Sequence, residues 1–356
     1  MTDGVFFTDL IENNLPDEAV LDISETGKVL IISDFHMGWG SSDDLNGNGK
    51  MLACLLEDYY FRNGWHLILN GDIEELQKYS FDKIYEKWAC LYRTFDLFAE
   101  ERRLHKIAGN HDDLPLLKRS ASTYPIYQAV RIETGSVPAY VYHGHQLSNI
   151  YTRYNGLMGM MIRYFLKPFR IKNISAARNP YRRFSVEKTA YAYSLKNRCL
   201  SIIGHTHRPL FESLGRFDYI KFEIERLCRD YPASEGSEKT RIENEVTALR
   251  NELSKLKRKE RRDVLRQSLY GDELPVPCLF NSGCVLGKKG INAIEMTKDE
   301  ISLIYWYEEG KSKKFITRGG YKIEEMPDSP YRRTVLNHSK LDYVYARINL
   351  LGSHLN

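Results

Sequence analysis

KVLIISD, residues 28–34, decides how the rest of the chain is read. Its aliphatic run stops abruptly at Ser33 and Asp34, and His36 follows two residues later. An apolar run of this length without polar alternation predicts a strand buried on both faces. A carboxylate at its end predicts the sheet edge where α/β proteins bind ligands. The same grammar recurs four times. HLILN (66–70) runs into Gly71 and Asp72, with Glu75 three residues on. LHKIA (104–108) runs into Gly109, Asn110, His111 and Asp112. Residues 140–142 run into His143, Gly144 and His145, and LSII (200–203) runs into Gly204, His205 and, past Thr206, His207. Between the first three runs, residues 51–60 and 84–103 have helical periodicity; in the second, Trp88, Leu91, Tyr92, Phe95 and Phe98 make an apolar stripe. Strand–helix alternation predicts a layered α/β core.

Six of the ten histidines fall in these short stretches. Imidazole mixed with carboxylate oxygen suits manganese, iron or zinc rather than calcium or a thiolate site. Residues spaced i, i+2 on an extended loop can reach one ion together, and a glycine before the polar cluster permits close approach. His66, His105, His338 and His354 stand outside the pattern and read as ordinary surface or core histidines. Six cysteines without CxxC spacing argue against a disulfide framework or zinc knuckle and for a reducing compartment. The acidic first fourteen residues predict no secretory leader, and no apolar run is long enough for a membrane span.

Together, in order and each after a predicted strand, the five motifs resemble the calcineurin-like metallophosphoesterases over residues 29–283. The resemblance implies a four-layer sandwich of two mixed β-sheets flanked by helices. It implies two divalent ions, with manganese foremost and iron or zinc as alternatives. By motif position, one ion would take Asp34, His36, Asp72 and His207; the other would take Asp72, Asn110, His143 and His205. Asp72 would bridge them. His111 would be the general acid for the leaving oxygen, with Asp112 fixing its ring. Glu75 and His145 would support the ligands from behind. Within the superfamily the chain looks most like the branch of UDP-2,3-diacylglucosamine pyrophosphatases, which usually carry Asp where this chain has His145. The expected activity is hydrolysis of a phosphoester or pyrophosphate bond. A nuclease and a serine/threonine protein phosphatase are the rival activities. A non-enzymatic scaffold would be expected to have lost ligand positions, and none is lost.

The chain reads as one domain, 1–356, with two interruptions. The net charge is only +4, yet residues 150–198 hold eleven Lys/Arg and one Asp/Glu, leaving the rest of the chain at −6. This basic, Met- and Phe-rich stretch (149–198) predicts a cap in which Arg163, Lys167 and Arg170 meet a phosphate-bearing small molecule or lipid-linked substrate. A partly buried helix with a solvated basic face is the bland account of the same residues. Nucleic acid ranks below a small substrate. Weak contact with the inner face of a membrane, from the cytoplasm, is consistent with it. Residues 213–270 carry two 3-4 spaced apolar stripes around PASEGS (232–237), predicting an inserted antiparallel helical hairpin. Its near-balanced charge suits a protein partner or self-association. The tail, 318–356, shows no decisive pattern.

Overall fold

The computed structural model describes residues 18–25, 27–39, 45–112, 124–134, 137–147, 180–213, 216–260, 276–311 and 321–352. The strands, numbered in chain order, form two mixed sheets. One has the order β12 (Ile323–Glu325), β13 (Tyr331–Lys340), β11 (Glu300–Glu308), β10 (Ile291–Thr297), β2 (Lys28–Ile32), β3 (His66–Asn70), β4 (Leu104–Ile107), β5 (Ile126–Tyr127). The other has the order β1 (Glu18–Asp22), β6 (Ala129–Glu133), β7 (Ala139–Tyr142), β8 (Leu200–Ile203), β9 (Leu279–Asn281). Strands β2 to β5 run parallel, as do β7, β8 and β9.

The apolar runs are buried on both faces. Val29 and Ile31 of β2, Ile68 of β3 and Ile107 of β4 pack in one cluster with Val130, Val141, Leu200 and Ile202 of the other sheet. The alternate residues Leu30, Ile32, Leu67 and Leu69 pack against Leu52, Leu55, Leu91, Phe95 and Phe98 of the helices that follow β2 and β3. The helices Pro180–Asn197 and Leu341–Leu351 add Ala190, Leu195, Val344 and Ile348 to the first cluster. Each fully buried aliphatic side chain contributes about 1.5–3 kcal/mol. This burial on both sides fixes the strand ends, and so the loops beyond them.

Three features differ from the sequence expectation. The helix expected over 84–103 is two, Phe81–Lys87 and Ala89–Glu100, broken at Trp88. The Trp88 indole donates to the Gly38 carbonyl at 2.9 Å and lies so close to Gly49 that a Cβ there would sit 2.4 Å from the ring. Trp88 is thus a wedge behind the loop after β2. The helix Gly49–Cys54 continues as a π-helical stretch, Leu55–Phe61. The unplaced tail supplies β12, β13 and the helix Leu341–Leu351, all built into the layers.

The 213–270 stretch contains the helices Arg216–Asp230 and Gly236–Glu260, which lie against each other. Ile220, Leu227 and Ile242 on them are buried. Tyr231 donates its hydroxyl to Glu243, and Lys239 sits over the Tyr231 ring at 4.8 Å. Residues 149–179 of the basic stretch, with Arg163, Lys167 and Arg170, lie outside the described residues. No described helix is long and apolar enough to cross a membrane.

Candidate metal centre

Each polar cluster stands just past a strand end. β2 leads to Asp34 and His36, β3 to Asp72 and Glu75, and β4 to Asn110, His111 and Asp112. In the other sheet β7 leads to His143 and His145, and β8 to His205 and His207. The loops are tightly wound. Asp34, His36, Asp72, His205 and His207 have φ of 56°, 48°, 54°, 60° and 55°. Left-handed backbone is unusual for residues other than glycine, at about 1–2 kcal/mol each, and persists where the surroundings over-determine it. Here they do: Asp34 N–H donates to Gly71 O (3.1 Å), His36 N–H to Asp72 O (2.9 Å) and Gly204 N–H to His143 O (3.0 Å).

The glycines before the clusters are required by contact. A Cβ on Gly109 would lie 2.2 Å from Asp72 N; on Gly71, 2.5 Å from the His143 ring; on Gly204, 2.6 Å from Ser33 Oγ.

Among the described residues three donor groups converge: Asp34, His36 and His207; His36, Asp72 and His111; Asp72, His143 and His205. His207 Nε2 is 3.0 Å from Asp34 Oδ1 and 3.2 Å from His36 Nε2. His143 Nε2 is 3.3 Å from Asp72 Oδ2, and His36 Nε2 is 3.7 Å from the same oxygen. Second atoms of these groups are fixed by the protein. Asp34 Oδ2 accepts from Ser33 Oγ (2.5 Å) and His205 N–H (3.1 Å). Asp72 Oδ1 accepts His111 N–H at 2.8 Å, and His143 Nδ1 is 2.8 Å from Asn70 O. The buried atoms Asp34 Oδ1, Asn110 Oδ1 and His143 Nε2 make no hydrogen bond. Buried lone pairs without donors are costly. Converging imidazole and carboxylate lone pairs fit divalent cations, so the donor set passes the test for metal.

The donors also balance one another's charge. Burial pushes the Asp34 carboxyl up, but His207 beside it holds it below its ordinary range. Asp72 is also buried, and His143, His111 and His36 around it hold it well below. Burial works against the imidazolium forms too. Asp72 nonetheless raises His143 to about 9, Asp34 raises His207 well above its ordinary value, and Glu75 with Asp72 raises His111 to about 9. Burial and the charge of His143 push His205 down to about 3 and His145 well below its ordinary value.

The expected contact between Asp112 and His111 is absent. The Asp112 carboxylate instead accepts backbone N–H groups from Asp72 (3.0 Å), Ile73 (2.8 Å), Glu74 (3.3 Å) and Gly109 (2.8 Å). It ties the β3 and β4 loops together, and burial with Glu74 nearby raises it to about 8. The ring partner of His111 is Glu75, with Nδ1 2.7 Å from Oε1, and Glu75 Oε2 also lies 3.4 Å from His36 Nδ1. His145 starts a 3-10 turn, its ring 5.4 Å from His143 and 6.4 Å from His205.

Sequence reasoning missed several supports. Lys106, wholly buried in β4, donates to Glu74 at 2.5 Å, and Tyr92 donates to the same oxygen at 2.9 Å. A lysine inside LHKIA, with two adjacent acids at 74 and 75, was the signal. Asn281 ends β9 and donates to Gly204 O and Thr206 Oγ1, both at 2.9 Å. Glu187 accepts from Thr206 (3.0 Å) and Arg208 (3.1 Å).

No protein-family model and no curated protein matches the chain. Solved structures do. Yfce, a phosphoesterase from E. coli, aligns at 12% identity over 77% of this chain and 91% of its own, with a TM-score of 0.32. Vacuolar Protein Sorting 29 from Cryptosporidium parvum aligns at 10% identity over 80% and 93%, with a TM-score of 0.31. The donor groups themselves carry the functional reading.

Proposed function

We propose that the chain is a metal-dependent phosphoesterase of the calcineurin-like superfamily, cleaving a phosphoester or pyrophosphate bond. The convergence of three donor groups with buried lone pairs that no hydrogen bond claims carries this reading. His36 and Asp72 each belong to two groups. A carboxylate can give one oxygen to each of two ions, so Asp72 would serve both ions of a binuclear site. Asp34, His36, Asp72 and His207 would hold one ion, and Asp72, Asn110, His143 and His205 the other. When bound, such ions supply positive charge to phosphoryl oxygens and an acidified water.

The chain's own residues orient and protonate. Ser33 and the His205 N–H fix Asp34, and the His111 N–H fixes Asp72, so neither carboxylate must reorganise. Glu75 engages His111 Nδ1, which leaves Nε2 to deliver a proton to the leaving oxygen. His111 also belongs to a donor group with His36 and Asp72, so its place as acid rather than ligand is part of the proposal.

A nucleotide-sugar or lipid-linked phosphate is the substrate class we favour, approached through the basic stretch with Arg163, Lys167 and Arg170. Manganese is the metal we favour. A cytoplasmic protein with weak contact to anionic membrane is consistent with the same stretch. We read the helix pair at 216–260 as an insertion that serves a protein partner. Metal analysis by mass spectrometry, followed by a panel of phosphomonoesters, diesters, nucleotide-sugars, single-stranded DNA and phosphopeptides, tests the whole. About two equivalents of a transition metal and turnover of at least one ester are expected. A folded protein that holds no metal and turns over nothing overturns it in favour of a scaffold; turnover of DNA or phosphopeptide alone selects a rival activity.

A further inference from the structure

We propose that Trp39 and Lys78 form a recognition subsite for a flat, phosphate-bearing group, a nucleotide, beside the metal centre; this rests on the phosphoesterase reading and deepens it. Of the four tryptophans, Trp65, Trp88 and Trp306 are at most 8% exposed, whereas Trp39 is 42% exposed. A lone exposed ring means little by itself. Its anchoring gives it meaning. Trp39 lies three residues beyond His36, which bounds the separation of their Cα atoms to about 10 Å. The intervening backbone is fixed. Met37 N–H donates to Ile73 O (2.8 Å), Met37 O accepts Glu75 N–H (2.9 Å), and Gly38 O accepts the buried Trp88 indole (2.9 Å). An indole held on a fixed backbone loses little entropy when a ring stacks on it.

Lys78 comes from the partner segment. Its ammonium is 3.0 Å from Glu75 Oε2, and its side chain is 52% exposed. That carboxylate is already engaged by His36 and His111. The Lys78 ammonium can therefore turn to a phosphate and leave Glu75 partnered by two imidazoles. So the two paired segments after β2 and β3 carry an exposed aromatic ring and a cation. The sequence that follows Trp39, Gly40 to Asp44 (GSSDD), contains no apolar side chain. An acyl chain needs contiguous apolar area; a nucleobase needs one ring face and polar surroundings.

The test titrates the full chain, stripped of metal by chelation, with UMP, AMP, ribose 5-phosphate and inorganic phosphate, monitoring tryptophan emission. Saturable quenching by both nucleotides but by neither base-free phosphate is expected. Trp39→Leu should abolish the quenching, and by calorimetry should weaken UMP binding about tenfold, with Trp39→Phe restoring it. Lys78→Ala should weaken UMP about tenfold and leave uridine unchanged. Equal responses to UMP and ribose 5-phosphate, or quenching that survives Trp39→Leu, overturn the subsite. Turnover of simple phosphate esters without nucleotide quenching removes the subsite and keeps the hydrolase. Quenching without turnover of any ester supports the subsite and removes the hydrolase.

Discussion

Two buried charge clusters flank β2, and they are built on opposite rules. On the outer side of the eight-stranded sheet, Glu295 accepts from Tyr60 (2.7 Å) and from Arg333 Nε (3.0 Å), Trp306 donates to Tyr60 (2.8 Å), and Arg333 also reaches Glu324. No polar side-chain atom of Tyr60, Glu295, Trp306 or Arg333 is left over. At the strand ends, Asp34 Oδ1, Asn110 Oδ1 and His143 Nε2 make no hydrogen bond, and imidazoles and carboxylates converge on one another. The first cluster is closed: it satisfies itself and holds strands together. The second is open: it leaves buried polar atoms unpaired where several metal-ligating side chains meet, an arrangement that fits a cation. Buried charge is therefore no sign of function by itself; unbalanced lone pairs are.

The sharpest way to break this contrast is Asp72→Asn. A folded protein should remain, with little bound metal by mass spectrometry and turnover lower by about a thousand-fold or more. Two retained ions with near-parental turnover would dissolve the distinction. The converse is Glu295→Ala. It strands Arg333 in the sheet and should lower unfolding stability by about 3–5 kcal/mol in denaturant titration, while the remaining folded protein should keep its metal and its rate. A catalytic loss without a stability loss would show that the closed cluster is not closed.

His111→Ala refines the open cluster. Both ions should stay, and turnover of alkyl phosphates should fall about a hundred-fold, with a small loss for 4-nitrophenyl phosphate, whose leaving group departs without a proton. Equal losses would return His111 to the ligands.

Acidity separates the clusters further. His111 and His143 rise from 6.5 to about 9. A raised imidazole gives stability that is complete below pH 6.5 and is lost as pH climbs through about 9. Chelated protein should therefore show a Tm that falls across that window. Metal-loaded protein should show a flatter curve, since ligating imidazoles are already neutral, and metal titration at pH 7 should release protons. Coincident curves would contradict the assignment. The smallest effect is expected from the helix pair: replacing 216–260 with a short Gly/Ser linker should change turnover of a small ester by less than about twofold, checked on folded, metal-loaded protein.

Much of this was legible in the sequence because periodicity and strand-end chemistry are local. KVLII and HLILN announce strands buried on both faces, and the glycines at 71, 109 and 204 announce close approach. What stayed hidden depended on partners distant in sequence. β1 and β6 pair in parallel across more than a hundred residues, and β12 and β13 lack clear apolar runs. Asp112 sits next to His111 in sequence, so adjacency suggested a ring partner. The loop geometry instead turned its carboxylate onto four amides and brought Glu75 to the imidazole. The break at Trp88 arises from its contact with Gly38, which no helical periodicity encodes.

The left-handed backbone at Asp34, His36, Asp72, His205 and His207 also has a meaning for descent. At each of these positions glycine would fold more comfortably than the residue present, and at the three histidines asparagine would as well. A lineage released from the need for metal would gain stability by drifting to those residues there first. Their appearance at 34, 36, 72, 205 and 207 in a related chain, with the flanking glycines kept, would mark a descendant that retained the architecture after abandoning the chemistry.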